Sequence, residues 1–118
     1  MSVAAALTLL SPVSAAERIV LSCSGTMFVP GQFGVAPVPD QSFIIDLDKG
    51  SVSSSLGDFS ITKVTEDRVD FRADSGQVGV FTAGGVNRLT GAATVTSWRN
   101  DKVVMNYNLA CKRTNPLF

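Results

Sequence analysis

The sequence predicts an all-β protein, a single small antiparallel β-barrel or sandwich of seven or eight short strands whose terminal strands are adjacent and disulfide-linked. Three observations predict it. Apolar residues recur with a period of two, which a strand needs and a helix would scatter around its circumference. Polar turn signals separate the apolar runs at the short, regular spacing of sandwiches and barrels. The only two cysteines, Cys23 and Cys111, lie near opposite ends of the chain, both on apolar faces.

Along the chain, Ile19, Leu21, Cys23 and Met27 share a face that Gly25 interrupts, and "SFIIDLD" places Phe43, Ile45 and Leu47 together. Between them, "FVPGQFGVAPVPDQ" carries Pro30, Pro37 and Pro39, which cannot donate to a ladder, and so reads as a long loop or edge crossing. In "FSITKVT", Phe59 and Ile61 are in phase and Val64 is not, the mark of a bulge. Val69, Phe71 and Ala73 form the next apolar line. In "VVMNYNLACK", Val103, Met105, Tyr107, Leu109 and Cys111 should face inward, with Asn106 and Asn108 facing solvent.

Asp48-Lys49-Gly50 and Leu89-Thr90-Gly91 each suit a three-residue hairpin loop closed by a glycine of positive φ. Thr65-Glu66-Asp67, Asp74-Ser75-Gly76 and Arg99-Asn100-Asp101 are further polar breaks. "IDLDKGSV" is loosely echoed by "VNRLTGAA", as expected of two hairpins obeying the same turn chemistry.

The segment 1–15, "MSVAAALTLLSPVSA", suits the apolar core and small-residue cleavage region of a secretory signal, although no Lys or Arg follows Met1. Residues 16–118 then form one domain of about a hundred residues, enough for a single core, expected to be periplasmic or secreted. No second apolar run is long enough for a transmembrane helix. Ten basic and ten acidic residues balance and are dispersed, which argues against nucleic acid as a partner.

An exported chain with two cysteines is expected to join them. With no histidine in the chain and no other cysteine, a zinc site or redox motif lacks its ligands. The bridge requires the first and last strands to be neighbours, because the Cα atoms must come within about 7 Å.

Absence of histidine also removes Ser/His/Asp and Cys/His catalysis. Asp46 and Asp48 lie on a face opposite Phe43 and Ile45 and read as solvated charges. No catalytic residue, metal ligand or cofactor is therefore expected. Candidate binding residues are Trp98 and Arg99, residue types that dominate interaction hot spots, and Arg88, which lies beside glycines and could present a guanidinium to an anion. The bland expectations are that Trp98 plugs one end of the barrel and that Arg88 joins a surface ion pair.

The stretches "CSGTM", "IIDLDKG", "ITKVTEDRVDF", "GGVNRLTG" and "YNLACK…PLF" resemble small exported proteins of alphaproteobacteria. The resemblance spans the mature chain and implies no activity. "SGQVGVF" at Ser75–Phe81 resembles the S-G-x-x-x-Y/F loop of periplasmic inhibitors of C-type lysozyme. Those are small β-barrels with a disulfide between their chain ends, and no functional residue carries over from them. These readings converge on a non-enzymatic binding or interaction domain whose partner is a periplasmic protein or a small apolar ligand. Interaction ranks first, because barrels of this length are usually filled by their own side chains. The alternatives are a lipocalin-like carrier and an enzyme inhibitor.

Overall fold

The structure, a computed structural model, describes residues 18–32 and 34–114. The segment 1–15, read above as a secretory signal, and Phe118 lie outside those residues. Eight strands follow one another: β1 (Arg18–Phe28), β2 (Ala36–Asp46), β3 (Ser51–Ser54), β4 (Gly57–Val64), β5 (Arg68–Asp74), β6 (Val80–Asn87), β7 (Ala92–Arg99) and β8 (Lys102–Arg113). Each pairs antiparallel with the next, and β1 pairs with β8, so the sheet closes into a barrel in which ring order equals chain order. Closure decides between barrel and sandwich.

Residues of the predicted inward lines form the core together with Val52 of β3, Val86 of β6 and Ala93 and Val95 of β7, which belong to none of those lines. Cys23, Phe43, Ile45, Val52, Phe59, Val69, Phe71, Val86, Ala93, Val95 and Leu109 are buried, with Ile19, Leu21, Met27 and Tyr107 packed against them. Phe59 and Phe71 meet with ring centroids 4.8 Å apart, so aromatic rings fill the middle of an interior that eight strands leave just wide enough for side chains. The outer faces of β3 and β4 carry Ser51, Ser53, Asp58, Ser60 and Thr62, so the outside of this wall is polar.

Three irregularities bend the pattern. The register of β4 against β5 shifts between Ile61 and Lys63, which returns Val64 to pair with Val69, as the phase slip implied. In β8 the shift falls opposite Ser97 and Trp98, making Val104 the extra residue and pairing Val103 with Trp98. Val103 therefore leaves the interior line expected of it. The third shift lies between Cys23 and Gly25, opposite Pro39 and Asp40.

Of the two readings of the proline segment, loop or edge, the edge holds for Pro37 and Pro39. Pro37 and Pro39 belong to β2, and Pro37 pairs with Thr26. They are tolerated because β3 is short and pairs only with Phe43–Asp46, leaving the preceding half of β2 without a neighbour on that side. A residue lacking an N–H loses nothing on such an edge, and it discourages pairing with another chain.

Two of the hairpins share one loop design. Asp46 Oδ1 accepts the N–H of Lys49 at 3.0 Å, and Asn87 Oδ1 accepts those of Leu89 at 2.8 Å and Thr90 at 3.0 Å. Each loop ends in a glycine of positive φ, Gly50 at 68° and Gly91 at 82°, where any other residue would be strained. Each glycine carbonyl then accepts an N–H from the strand beyond, Ile61 or Cys111, at 2.8 Å. The loops span 47–50 and 88–91, one residue longer than the three-residue loops expected, because the Asx side chain closes the turn one step earlier. At the β7–β8 turn, Asn100 (φ 50°) and Asp101 (φ 66°) form a two-residue connection with both residues left-handed.

The barrel closes where Cys23 and Cys111 are direct cross-strand partners, bridged with their Cα atoms 4.0 Å apart. Two residues on, Gly25 faces Leu109, and a Cβ there would collide with the carbonyl oxygen of Asn108. Glycine is needed for β1 to approach β8.

Truncating Leu109 should cost about 2–5 kcal/mol, whereas Asn108→Ala, at an exposed position, should stay within about 0.5 kcal/mol. Urea melts of the two variants check the face assignment, and equal losses would refute it. Purified native protein should contain no titratable thiol. Reductant should lower its unfolding midpoint, because a bridge across a sequence separation of 88 residues is worth about 4 kcal/mol in the chain-entropy model. Coincident melts with and without reductant would contradict this.

Candidate functional site

The barrel has two ends. Strand β1 starts and β8 finishes at one, beside the β2–β3, β4–β5 and β6–β7 turns, and this end carries Arg88. The other gathers the β1–β2, β3–β4, β5–β6 and β7–β8 connections and carries Trp98 and Arg99. The candidate binding residues are thus not one site. They stand at opposite ends of the barrel.

Trp98 does not plug the interior. It lies on the line of Thr94 and Thr96, opposite that of Ala93 and Val95, and so faces outward. Its cross-strand partner is Phe81, with the rings 6.1 Å apart and 14° from parallel. The Arg72 guanidinium sits over Phe81 at 3.9 Å and is also paired with Asp74 at 3.0 Å. Strands β5, β6 and β7 thereby carry a strip in which exposed Arg72 covers half-buried Phe81 and Trp98 lies beside it, also half-buried. Phe28 and Val104, 39% and 40% exposed, lie further round at the same end. Arg99 is exposed at the turn and pairs in register with Lys102. The sequence hid this strip because Phe81 and Trp98 are seventeen positions apart and become neighbours only through the β6–β7 register.

The loop Ser75–Phe81 is internally organised. Ser75 Oγ donates to the Val80 carbonyl at 3.0 Å and accepts from the Gln77 N–H at 3.1 Å, while Val78 at its tip is 98% exposed.

At the other end, a cavity of about 340 Å³ opens into the barrel. Its inner wall is mainly apolar, with Ile19 and Leu21 of β1, Ile45 of β2, Val69 of β5 and Val86 of β6, and Asn87 and Cys111 complete it. The rim is formed by the β6–β7 loop, with Arg88, Leu89 and Thr90, and by Arg113 at the end of β8. The cavity exists because the aromatic rings occupy the middle of the barrel, whereas branched aliphatic side chains and Gly91 line this end. No single segment announces it, since its lining comes from five strands and a loop.

Arg88 is held in place here. Its Nη1 donates to the Thr65 carbonyl at 2.8 Å and its backbone N–H donates to the Asp67 carbonyl at 2.7 Å, lacing the β4–β5 and β6–β7 turns together. Thr65 is itself fixed by Oγ1 donating to Asp67 Oδ1 at 2.8 Å. The surface ion pair expected of Arg88 is not formed among the described residues, where the pairs are Arg68–Asp70 and Arg72–Asp74. Nor do the neighbouring glycines provide flexibility. A Cβ on Gly84 would press on Phe71, and one on Gly85 would strike the Arg68–Asp70 pair lying across it. Both are places where other groups approach the backbone closely.

Asp46 is committed to its turn and Asp48 lies in the loop, so the two carboxylates do not form a pair on one strand face. Among the described residues no three His, Cys, Asp or Glu side chains come together as metal ligands. No described helix is long and apolar enough to cross a membrane. The disulfide is consistent with a protein outside the cytoplasm. No family model, no curated protein and no solved structure matches the chain.

Trp98 is the only tryptophan, so its fluorescence reports on the outer strip. Iodide should quench it substantially in the folded protein, and filling the cavity at the far end should leave the emission maximum unchanged. Emission shielded from iodide would mean that the ring is inside.

Proposed function

We propose that the chain is an exported, non-enzymatic ligand-binding barrel, periplasmic or secreted, that takes one small apolar ligand through the mouth at the Arg88 end. The observation that carries this reading is the cavity of about 340 Å³, walled by Ile19, Leu21, Ile45, Val69 and Val86. That volume is at the lower end of the range of small-molecule sites, and such sites are typically apolar with a few polar groups at defined positions. An eight-stranded barrel in simple ring order is also an architecture able to hold one ligand in its mouth. Export is supported by the Cys23–Cys111 bridge, because such bonds persist in oxidising compartments.

The Arg72–Phe81–Trp98 strip favours a second reading, docking of a periplasmic protein, with the Ser75–Phe81 loop extending it toward enzyme inhibition. Its residue types are those of hot spots. The strip ranks second because its two aromatic rings are half-buried and its members are already partnered with one another.

The reading is tested with N-phenyl-1-naphthylamine, a neutral probe that brightens in apolar surroundings. Its emission should rise on titration and saturate at one probe per chain. Leu21→Phe, which fills the cavity from β1, should weaken binding about tenfold or more while the variant keeps a cooperative melt, since overpacking a partly buried site costs about 1–3 kcal/mol. Absence of enhancement, or enhancement indifferent to Leu21→Phe, would overturn the cavity reading.

A further inference from the structure

Resting on the cavity reading, we infer that the ligand is a single-chain anionic amphiphile, its hydrocarbon tail inside the barrel and its carboxylate or phosphate head between Arg88 and Arg113. The lining is asymmetric in charge. Among the described residues its only charged members are these two arginines, one in the β6–β7 loop and one at the end of β8, and no described aspartate or glutamate lines it. The chain as a whole is electrically balanced, and Asp48, Glu66 and Asp67 lie in turns at the same end without reaching the cavity wall. An even mixture of charges at the rim would have been the unremarkable outcome.

The two arginines differ in preparation. Arg88 has one amino group fixed to the Thr65 carbonyl. Among the described residues its remaining guanidinium N–H groups make no hydrogen bond. Part of the ordering cost of a long side chain is thus met before a ligand arrives, and the remaining fork suits an oxyanion. Arg113 is exposed and makes no ion pair among the described residues. It stands on the β8 end that Thr114 ties to β1 by donating its N–H to the Val20 carbonyl at 3.0 Å. Below the rim the wall is mainly aliphatic and carries no charge, so a head that keeps its charge stays at the mouth while a chain descends toward Ile45 and Val69. The volume, low in the range for small-molecule sites, favours one chain over a two-chain lipid.

The test compares four ligands of equal chain length by calorimetric titration: decanoate, decyl phosphate, decanol and decyltrimethylammonium. Decanoate and decyl phosphate should bind about tenfold or more tightly than decanol, the scale of a hydrogen bond to a charged group, and the cation should bind most weakly. Whichever anion binds better identifies the head. Arg88→Gln and Arg113→Gln should each shrink the ratio of anion to decanol affinity, and retained thermal midpoints will confirm that both variants are folded. Equal affinity for decanol and the anions, or an anion preference untouched by both substitutions, would overturn the headgroup assignment and leave the cavity reading standing. Failure of all four ligands, together with failure of the neutral probe, would remove the cavity reading itself.

Discussion

The pairing of β1 with β8 is the contact on which the remainder depends. The other seven seams of the barrel are hairpins, formed between strands adjacent in sequence. The eighth joins segments at opposite ends of the domain, and without it the molecule would be an open sheet with one apolar face in water. Three local features serve that seam: the Cys23–Cys111 bridge, the missing side chain at Gly25, and the bond from Cys111 N–H to the Gly91 carbonyl. The last links the seam to the β6–β7 loop, so the residue that closes the barrel also borders its mouth.

Most of the architecture was legible in the sequence because it is written in local terms. Period-two lines such as Phe43/Ile45 and Val69/Phe71 select a face residue by residue, and glycines such as Gly50 and Gly91 mark turns by their own conformational needs. The cysteine pair was legible for a different reason, namely that two thiols without histidine or further cysteine have few uses other than a bridge to each other. What escaped was non-local. Val103 left its line because of a bulge that depends on how β7 meets β8. The prolines of β2 could not be divided between loop and edge because their tolerance comes from the shortness of β3, a different strand. Trp98 was expected inside because a lone large apolar ring usually is, yet the β6–β7 register offered it Phe81 and Arg72 on the outside.

The candidate site follows the same division. Arg88 could be singled out from its setting, a charged residue in a glycine-containing turn. Its role could not be, because the residue that positions it, Thr65, lies in another hairpin, and Arg113 shares the rim only after the whole ring has closed. The cavity is a difference between the volume enclosed by eight strands and the volume of the side chains pointing inward. Such a difference has no signature in any one segment. Aromatic rings concentrated on Phe43, Phe59 and Phe71 fill the middle, and the shortfall appears where valine, isoleucine and glycine take over.

Coincidence of ring order with chain order has a kinetic consequence. Seven seams can zip successively, each closing only a short loop, and such contacts form rapidly. The last must bring together residues separated by 88 positions, and the entropy of that closure falls on a single step. If the sulfur bond forms early, the two ends are already tethered and the final seam becomes as local as the others. If it forms late, the sheet waits with two unsatisfied edges, the condition under which β-proteins associate with one another. Oxidation timing therefore acts as a choice between self-closure and self-association, made before the mouth of the barrel exists.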